Sequence, residues 1–267
     1  RGHSGVVMER KRAGFSSGET DLSGICFQNR WMIIQFGRGR QSWGAGNDIQ
    51  LALSESSNSY DYGMMDLDFG RLKVRYFHGF LESDSISTNR YISGRGIEWN
   101  NNKNIILGLS EIVIYSGINR SLDIAYLNPI STHLEVELNK RQNEPKNDSG
   151  NGVWQFSLDF KPANRIRLSF NYLIDEFVLD RGQSQNDKDS GKALSIRTVY
   201  KSNINDQHLI SYYFSFIHVG TNTFRHEDGK NNFVQRERPL GWEFGSDARD
   251  YNLGLQLYAV SYTHLTL

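Results

Sequence analysis

The tract Gly37-Arg38-Gly39-Arg40-Gln41-Ser42-Trp43-Gly44-Ala45-Gly46 sets two guanidinium groups and an indole among glycines. A Gly-rich loop can cradle phosphate with its backbone N–H groups. This one lacks the Gly-Lys-Ser/Thr ending, and no βαβ pattern surrounds it, so it does not read as a dinucleotide-binding loop. The glycines fit a tight turn where the chain leaves a strand. Arg38 and Arg40 suit ion pairs with carboxylates. Trp43 beside an Arg could also hold a sugar by stacking on its apolar face. Asp175-Glu176 offers two carboxylates, the equipment of glycoside hydrolysis. Adjacent residues on a strand face opposite ways, so these two cannot simply flank one bond. Glu111 and Glu135 can meet Arg38 or Arg95, and buried charges of opposite sign need one another. His78, His133 and His218 are too dispersed for a metal site. The single Cys26 excludes an internal disulfide and a multi-Cys zinc site. Its simplest role is that of a small buried apolar residue. No nucleophile elbow, zinc helix or catalytic triad is found, so no catalytic residue, metal or cofactor is expected.

The elements that must position these residues are strands. Trp154, Phe156, Leu158 and Phe160 alternate with Gln155, Ser157 and Asp159. Ile166, Leu168, Phe170, Tyr172 and Ile174 alternate with Arg167, Ser169, Asn171 and Asp175, broken only by Leu173. Residues 192–200, 207–218, 251–257, 72–80, 65–69 and 32–36 repeat the pattern. A period of two means strands, because successive side chains point to opposite faces. Residues 104–115 change parity between Leu109 and Ile112, which predicts a bulge near Ser110. One segment departs from the pattern. Asn128 as N-cap and Pro129 as the first helical residue predict a helix over 130–140.

Composition agrees. Lys plus Arg and Asp plus Glu number 30 each, giving zero net charge and no footprint for nucleic acid. Aromatic residues make up 12%, with 25 Gly against 4 Pro, as suits long strands and Gly-rich turns. No run approaches the roughly 18 apolar residues of a membrane-spanning helix. A barrel strand needs only about 9–11 residues with alternate apolar positions. Long polar connections at 142–152, 181–191 and 220–250 alternate with short ones at 161–164 and 201–206. Outer-membrane barrels have short periplasmic turns and long external loops. A two-sheet sandwich would also alternate. The aromatic-rich apolar face and the alternation of loop length favour the barrel.

Several blocks carry a resemblance. They include Phe36-Gly37-Arg38 with Trp43-Gly44-Ala45-Gly46, Tyr76-Phe77-His78-Gly79-Phe80, and Arg90-Tyr91-Ile92-Ser93-Gly94-Arg95 with Ile97-Glu98-Trp99. Gly108-Leu109-Ser110-Glu111, Tyr126-Leu127-Asn128-Pro129 and Ile174-Asp175-Glu176-Phe177 follow. Arg238-Pro239-Leu240-Gly241 with Gly245-Ser246-Asp247-Ala248 completes the order. Together they resemble the capsule-assembly Wzi family. Ala45 and Ser246 stand where the family's pattern has Pro, and Trp242 where it has a polar residue.

The resemblance implies an all-β, antiparallel outer-membrane barrel acting as a bacterial surface lectin. Its implied partners are capsular or exported polysaccharide and outer-membrane lipid. A monomer is expected. The alternatives are a porin-like diffusion channel and, third, a hydrolase. Residues 1–259 are expected to form one barrel domain. Residues 260–267 read like a translated sequencing adapter, so the barrel is expected to be incomplete. A lumen network is expected from Arg38, Arg95, Glu111, Asn128, Glu135 and Asp175 around an inward-folded segment 126–140. Carbohydrate contacts are expected from Trp43, Arg225, His226, Asn231, Arg236, Arg238 and Trp242.

Overall fold

The computed structural model describes residues 10–12, 15–17, 22–83, 87–143, 150–175, 191–205, 208–226 and 229–259. Residues 260–267 and Glu176 lie outside this set, as do much of the 142–152 and 181–191 connections. Strands β1 (Arg10–Arg12) and β2 (Phe15–Ser17) form a small separate ribbon. The main sheet begins with β3 (Ser23–Gln28), β4 (Met32–Gly39), β5 (Tyr60–Asp68), β6 (Leu72–Leu81), β7 (Thr88–Asn100) and β8 (Ile105–Ile118). Two short helices follow, α1 (Ile124–Leu127) and α2 (His133–Leu138). Then come β9 (Gly150–Ala163), β10 (Ile166–Asp175), β11 (Gly191–Asn205) and β12 (His208–Val219). A small hairpin, β13 (Val234–Gln235) with β14 (Arg238–Pro239), precedes β15 (Ala248–Ala259). The sheet is an antiparallel meander of 11 strands, with β3 at one edge and β15 at the other.

Local chemistry explains where the strands reverse. Asn29 Oδ1 accepts from the Trp31 and Met32 amides, at 2.9 and 2.8 Å. Asp68 Oδ1 accepts from Gly70, whose φ of 83° an L side chain disfavours. Asn101 Oδ1 gathers the amides of Lys103, Asn104 and Ile105. Each is a short Asx-type turn. Every such turn lies at one end of the meander. The connections 40–59, 119–143 and the described part of 220–247 all lie at the other, as an alternating meander requires.

Register divides the sheet into two faces. Tyr172 pairs with Phe156, Leu168 with Phe160, Ile174 with Trp154 and Tyr200 with Tyr212, so these side chains share the outer face. Phe170 and Phe214 join them through Ile196 and Thr198. Ile97, Leu109, Leu253 and Leu255 are exposed on the same face. Asp159, Arg167 and Asn171 take the inner face, where Arg167 pairs with Asp159 at 2.7 Å. The stability of a Phe156→Arg variant in lipid vesicles is therefore expected to fall by about 2–4 kcal/mol. Reversible unfolding in urea measures it, and an unchanged midpoint would put this face against water.

The expected bulge near Ser110 is absent. The β7–β8 register runs unbroken from Thr88↔Ile118 to Asn100↔Ile106. Ile112 and Ile114 sit on the inner face because that face has its own apolar core. One cluster joins inner side chains from Tyr60 on β5 to Val219 on β12. Cys26 also departs from expectation. It is exposed, because β3 is the outermost strand of the sheet and nothing described covers its inner side.

Candidate functional site

The inner core is built around the segment 40–59. Gly44 and Gly46 have φ of 124° and 74°, which turn the chain inward from β4. A Cβ on Gly44 would lie 2.7 Å from Gln155 Nε2 and 2.8 Å from Asn171 Oδ1. Those two amides hold the segment. Asn171 Oδ1 accepts from the Ala45 N–H at 2.7 Å, and its Nδ2 donates to the Ala45 carbonyl at 2.9 Å. Gln155 accepts from the Ala52 N–H and donates to the Trp43 carbonyl. The Ser195 hydroxyl donates to the Ile49 carbonyl at 2.7 Å. Irregular backbone inside a barrel is tolerated when its polar groups are paired in this way. Leu51, Ala52 and Leu53 are fully buried.

The segment 220–247 closes over 40–59. The Trp242 N–H donates to the Leu51 carbonyl, and the Ser54 N–H to Leu240. Asn58 Nδ2 donates to the carbonyls of Gln235 and Arg236. Arg90 donates to the carbonyls of Asn232 and Val234, each at 3.0 Å. Arg236 and Glu237 have φ of 50° and 63°, a two-residue turn that matches strand twist. Gly241 lies so close to Leu51 that a Cβ there would meet its backbone.

This arrangement sorts the expected sugar contacts. Trp43 and Trp242 are only 6% and 5% exposed, so neither offers a ring face to a sugar. Trp43 instead packs on Phe77, with Arg75 over its ring at 5.6 Å. Beneath it lies a cavity of about 410 Å³, bordered by Trp31, Asp66, Arg75 and Glu98. Asn231 is buried, and its carbonyl accepts from Asn151. Arg236 is ion-paired with Glu82. Arg225 and Arg238 are exposed, and His226 is half-buried. The exposed aromatic ring of this surface is Phe244, which stacks edge-on against Trp242. Nothing in the alternation singled it out.

The segment 119–143 is not folded inward. It packs on the outer face, across the ends of β6 to β9. Tyr126, Ala125 and Val136 bury against Tyr91, Val113 and Tyr115, whose register puts them on the outer face. Tyr91, Tyr115 and Tyr126 stack in turn, at 4.9 and 4.4 Å. The inner position is taken by 40–59 and 220–247. Helix limits differ too. Asp123 caps α1 and Thr132 caps α2. Asn128 ends α1, and its Oδ1 accepts from Ile130 in a turn rather than starting a helix.

The expected charge network accordingly divides. Arg95 pairs with Glu111 at 3.3 Å, on the outer face under the covering segment. Glu111 also accepts from the His133 N–H, and Arg95 donates to the Asn128 carbonyl at 3.3 Å. Glu135 is drawn to Arg141, which holds its carboxyl below the usual range. Arg38 lies elsewhere on the outer face, paired with Asp61 at 3.0 Å. Asp175 is on the inner face and accepts from the Phe224 N–H. Thus Arg95, Glu111, Asn128 and Glu135 assemble, but outside the lumen, and Arg38 and Asp175 do not join them.

His133 is a buried titratable group of the covering segment. The Tyr126 hydroxyl lies 2.8 Å from its Nδ1, and Glu137 lies 3.3 Å from its Nε2. Burial pushes its pKa down to about 4. The unfolded chain therefore binds a proton that the folded chain refuses between pH ~6.5 and ~4. Stability from this group is full above pH ~6.5 and is lost as pH falls toward 4, by about 3 kcal/mol. His133→Gln is expected to flatten that part of the stability profile. A profile of unchanged slope would show that His133 titrates normally.

Among the described residues, no group of His, Cys, Asp and Glu is arranged to hold a metal. No family profile matches the chain, and no curated protein sequence does. Solved structures do. Wzi, an outer-membrane protein involved in group 1 capsule assembly in Escherichia coli and described as a carbohydrate-binding β-barrel, superposes with a TM-score of 0.66 at 14% identity. The match covers 87% of this chain and 52% of that one, so the chain spans about half the length of that barrel. An anion-selective porin from Comamonas acidovorans matches more loosely, with a TM-score of 0.46 at 12% identity over 92% of this chain and 61% of that one. OmpT, an outer-membrane protein of Vibrio cholerae, gives 0.41 at 7% identity, over 87% and 62%. The chain has the fold of an outer-membrane β-barrel, with eleven antiparallel strands of a wall that is not closed.

Proposed function

We propose that the chain forms part of a bacterial outer-membrane surface lectin that binds capsular or exported polysaccharide and assists its attachment. It acts as a monomeric binding protein rather than an enzyme. The observation that carries this reading is the pair of segments tied across the inner face, on a fold like that of a carbohydrate-binding barrel. A diffusion channel needs an open lumen. Here 40–59 and 220–247 are tied to each other and to β9, β10 and β11 by paired backbone groups.

The sugar-binding surface is the exposed side of 220–247. Arg225, His226 and Arg238 supply hydrogen bonds and positive charge, and Phe244 supplies the apolar platform. With an acidic polysaccharide the charged part of the affinity weakens as salt rises. Replacing Arg225, Arg238 and Phe244 together by Ala is expected to lower binding on a glycan array by ~10-fold or more, about 1.4 kcal/mol. Retained surface capsule, measured on cells carrying the complete gene, should fall in parallel. Deleting 225–238 gives the second arm. Unchanged glycan binding and capsule with reduced solute uptake would replace the lectin by a channel.

A further inference from the structure

The apolar belt and the covering segment meet on the outer face. Ile97 pairs with Leu109, and Leu109 with Phe156, and all three are exposed. The next outward row is Arg95–Glu111, about 7 Å along the strand. From that row upward the outer face of β7 and β8 is covered. Tyr76 and Ser93 donate to the Tyr126 carbonyl, and Arg95 to Asn128. His133 donates its N–H to Glu111. The chain from Asn128 to His133 therefore crosses the outer face directly above the belt.

An ion pair facing lipid without further partners is costly, and the covering backbone supplies those partners. The segment then presents its own outer surface. That surface carries large apolar side chains among its polar ones. Ile124, Ile130 and Leu138 are 81%, 85% and 68% exposed. They come from α1, from the turn above the belt and from α2. Lys140 follows the C-cap Asn139 of α2 and is exposed, and Arg141 beside it is paired with Glu135. Apolar side chains with an adjoining cation suit the boundary between acyl chains and phosphate headgroups.

We infer that residues 122–141 form a lipid-contacting collar, with Ile124, Ile130 and Leu138 seated in the headgroup and acyl boundary of the outer leaflet. This rests on the outer-membrane reading above. The belt below is the lipid-facing surface of that reading, and the collar continues it without a gap. The collar sets how deep the barrel sits and which side of the long loops faces the cell surface.

The test places a polarity-sensitive fluorophore on single cysteines in a Cys26→Ser background. The positions are Ile130→Cys, Leu255→Cys on the belt and Ser211→Cys on the inner face. The chain is reconstituted in phosphatidylcholine vesicles containing a lipid with a nitroxide high on its acyl chain. The fluorophore at 130 is expected to be quenched several-fold more by the lipid nitroxide than by aqueous iodide, and the one at 255 likewise. The inner-face probe should show the reverse. Quenching at 255 with only iodide quenching at 130 would overturn the collar and leave the barrel standing. Loss of lipid quenching at both would overturn the membrane reading and the collar with it. Lipid quenching at 130 that disappears as protein density rises would assign the patch to a second copy of the chain instead.

Discussion

Glu111→Ala, with Arg95 retained, is expected to destabilise the folded chain by about 3–5 kcal/mol. The reason is the charge left behind. Arg95 and Glu111 are both buried, and the covering segment excludes water from them. Removing the carboxylate strands a guanidinium on the outer face and also orphans the His133 N–H. Arg95→Met with Glu111→Leu removes both charges and fills the space, so the double variant should lose much less, about 1–2 kcal/mol. The comparison is made by urea unfolding in vesicles at fixed salt. Equal losses in single and double variants would mean that the two side chains act as packing alone. A second signature separates the ion pair from mere bulk. The single variant should loosen α1 and α2 before the sheet, visible as faster amide exchange at Asn128–His133.

Much of the fold was legible in the sequence because a strand writes its two faces into alternate residues. Register confirms that Trp154, Phe156, Phe160, Phe170, Tyr172, Tyr212 and Phe214 share a face. The short turns were legible in part as Asn-, Asp- and Gly-containing breaks between those runs. What alternation cannot show is which face a non-strand segment will cover. The segment 126–140 carries polar residues that suit a lumen and apolar ones that suit a core. Its placement was decided by Tyr91, Val113 and Tyr115, three outer-face residues that offer a docking surface above the exposed apolar belt. The bulge expected near Ser110 has the same origin. Ile112 and Ile114 read as a parity error only if the inner face is taken to be polar throughout. They in fact meet the apolar side chains of 40–59.

The candidate site was less legible than the wall. Trp43 and Trp242 attract attention as sugar platforms by residue type alone, yet both are consumed in holding two loops together. The residues that do that holding include Asn171, Gln155 and Ser195. A signal for them existed: neutral amides and a hydroxyl, rather than charges, at inward positions on three consecutive strands. Neutral groups of this kind are what an irregular backbone needs, because they donate and accept without adding a buried charge.

The same three side chains give the prediction that bears most on function. Asn171→Leu keeps the branched heavy-atom skeleton and removes four hydrogen bonds, to the Ala45 amide, the Ala45 and Ile49 carbonyls and the Ser195 hydroxyl. Each buried backbone group left without a partner costs about 1–3 kcal/mol, so the loss for the loop is expected to be ~2–5 kcal/mol. Gln155→Leu, which releases the Ala52 amide and the Trp43 carbonyl, should follow, and Ser195→Ala should cost least, about 1 kcal/mol. The wall carries its own strand pairing, so the damage should concentrate in 40–59 and in the part of 220–247 that rests on it. Limited proteolysis should then cut within 44–56 in the Asn171 variant at a protease level that leaves the parent intact. In the complete barrel the same variant should raise the uptake of small solutes, in the order Asn171, Gln155, Ser195. Proteolysis that speeds up without any rise in uptake would show that the loop is not what closes the lumen. Equal resistance in all three variants would show that the loop is held by its apolar contacts alone, with Leu51 and Leu53 as its anchors.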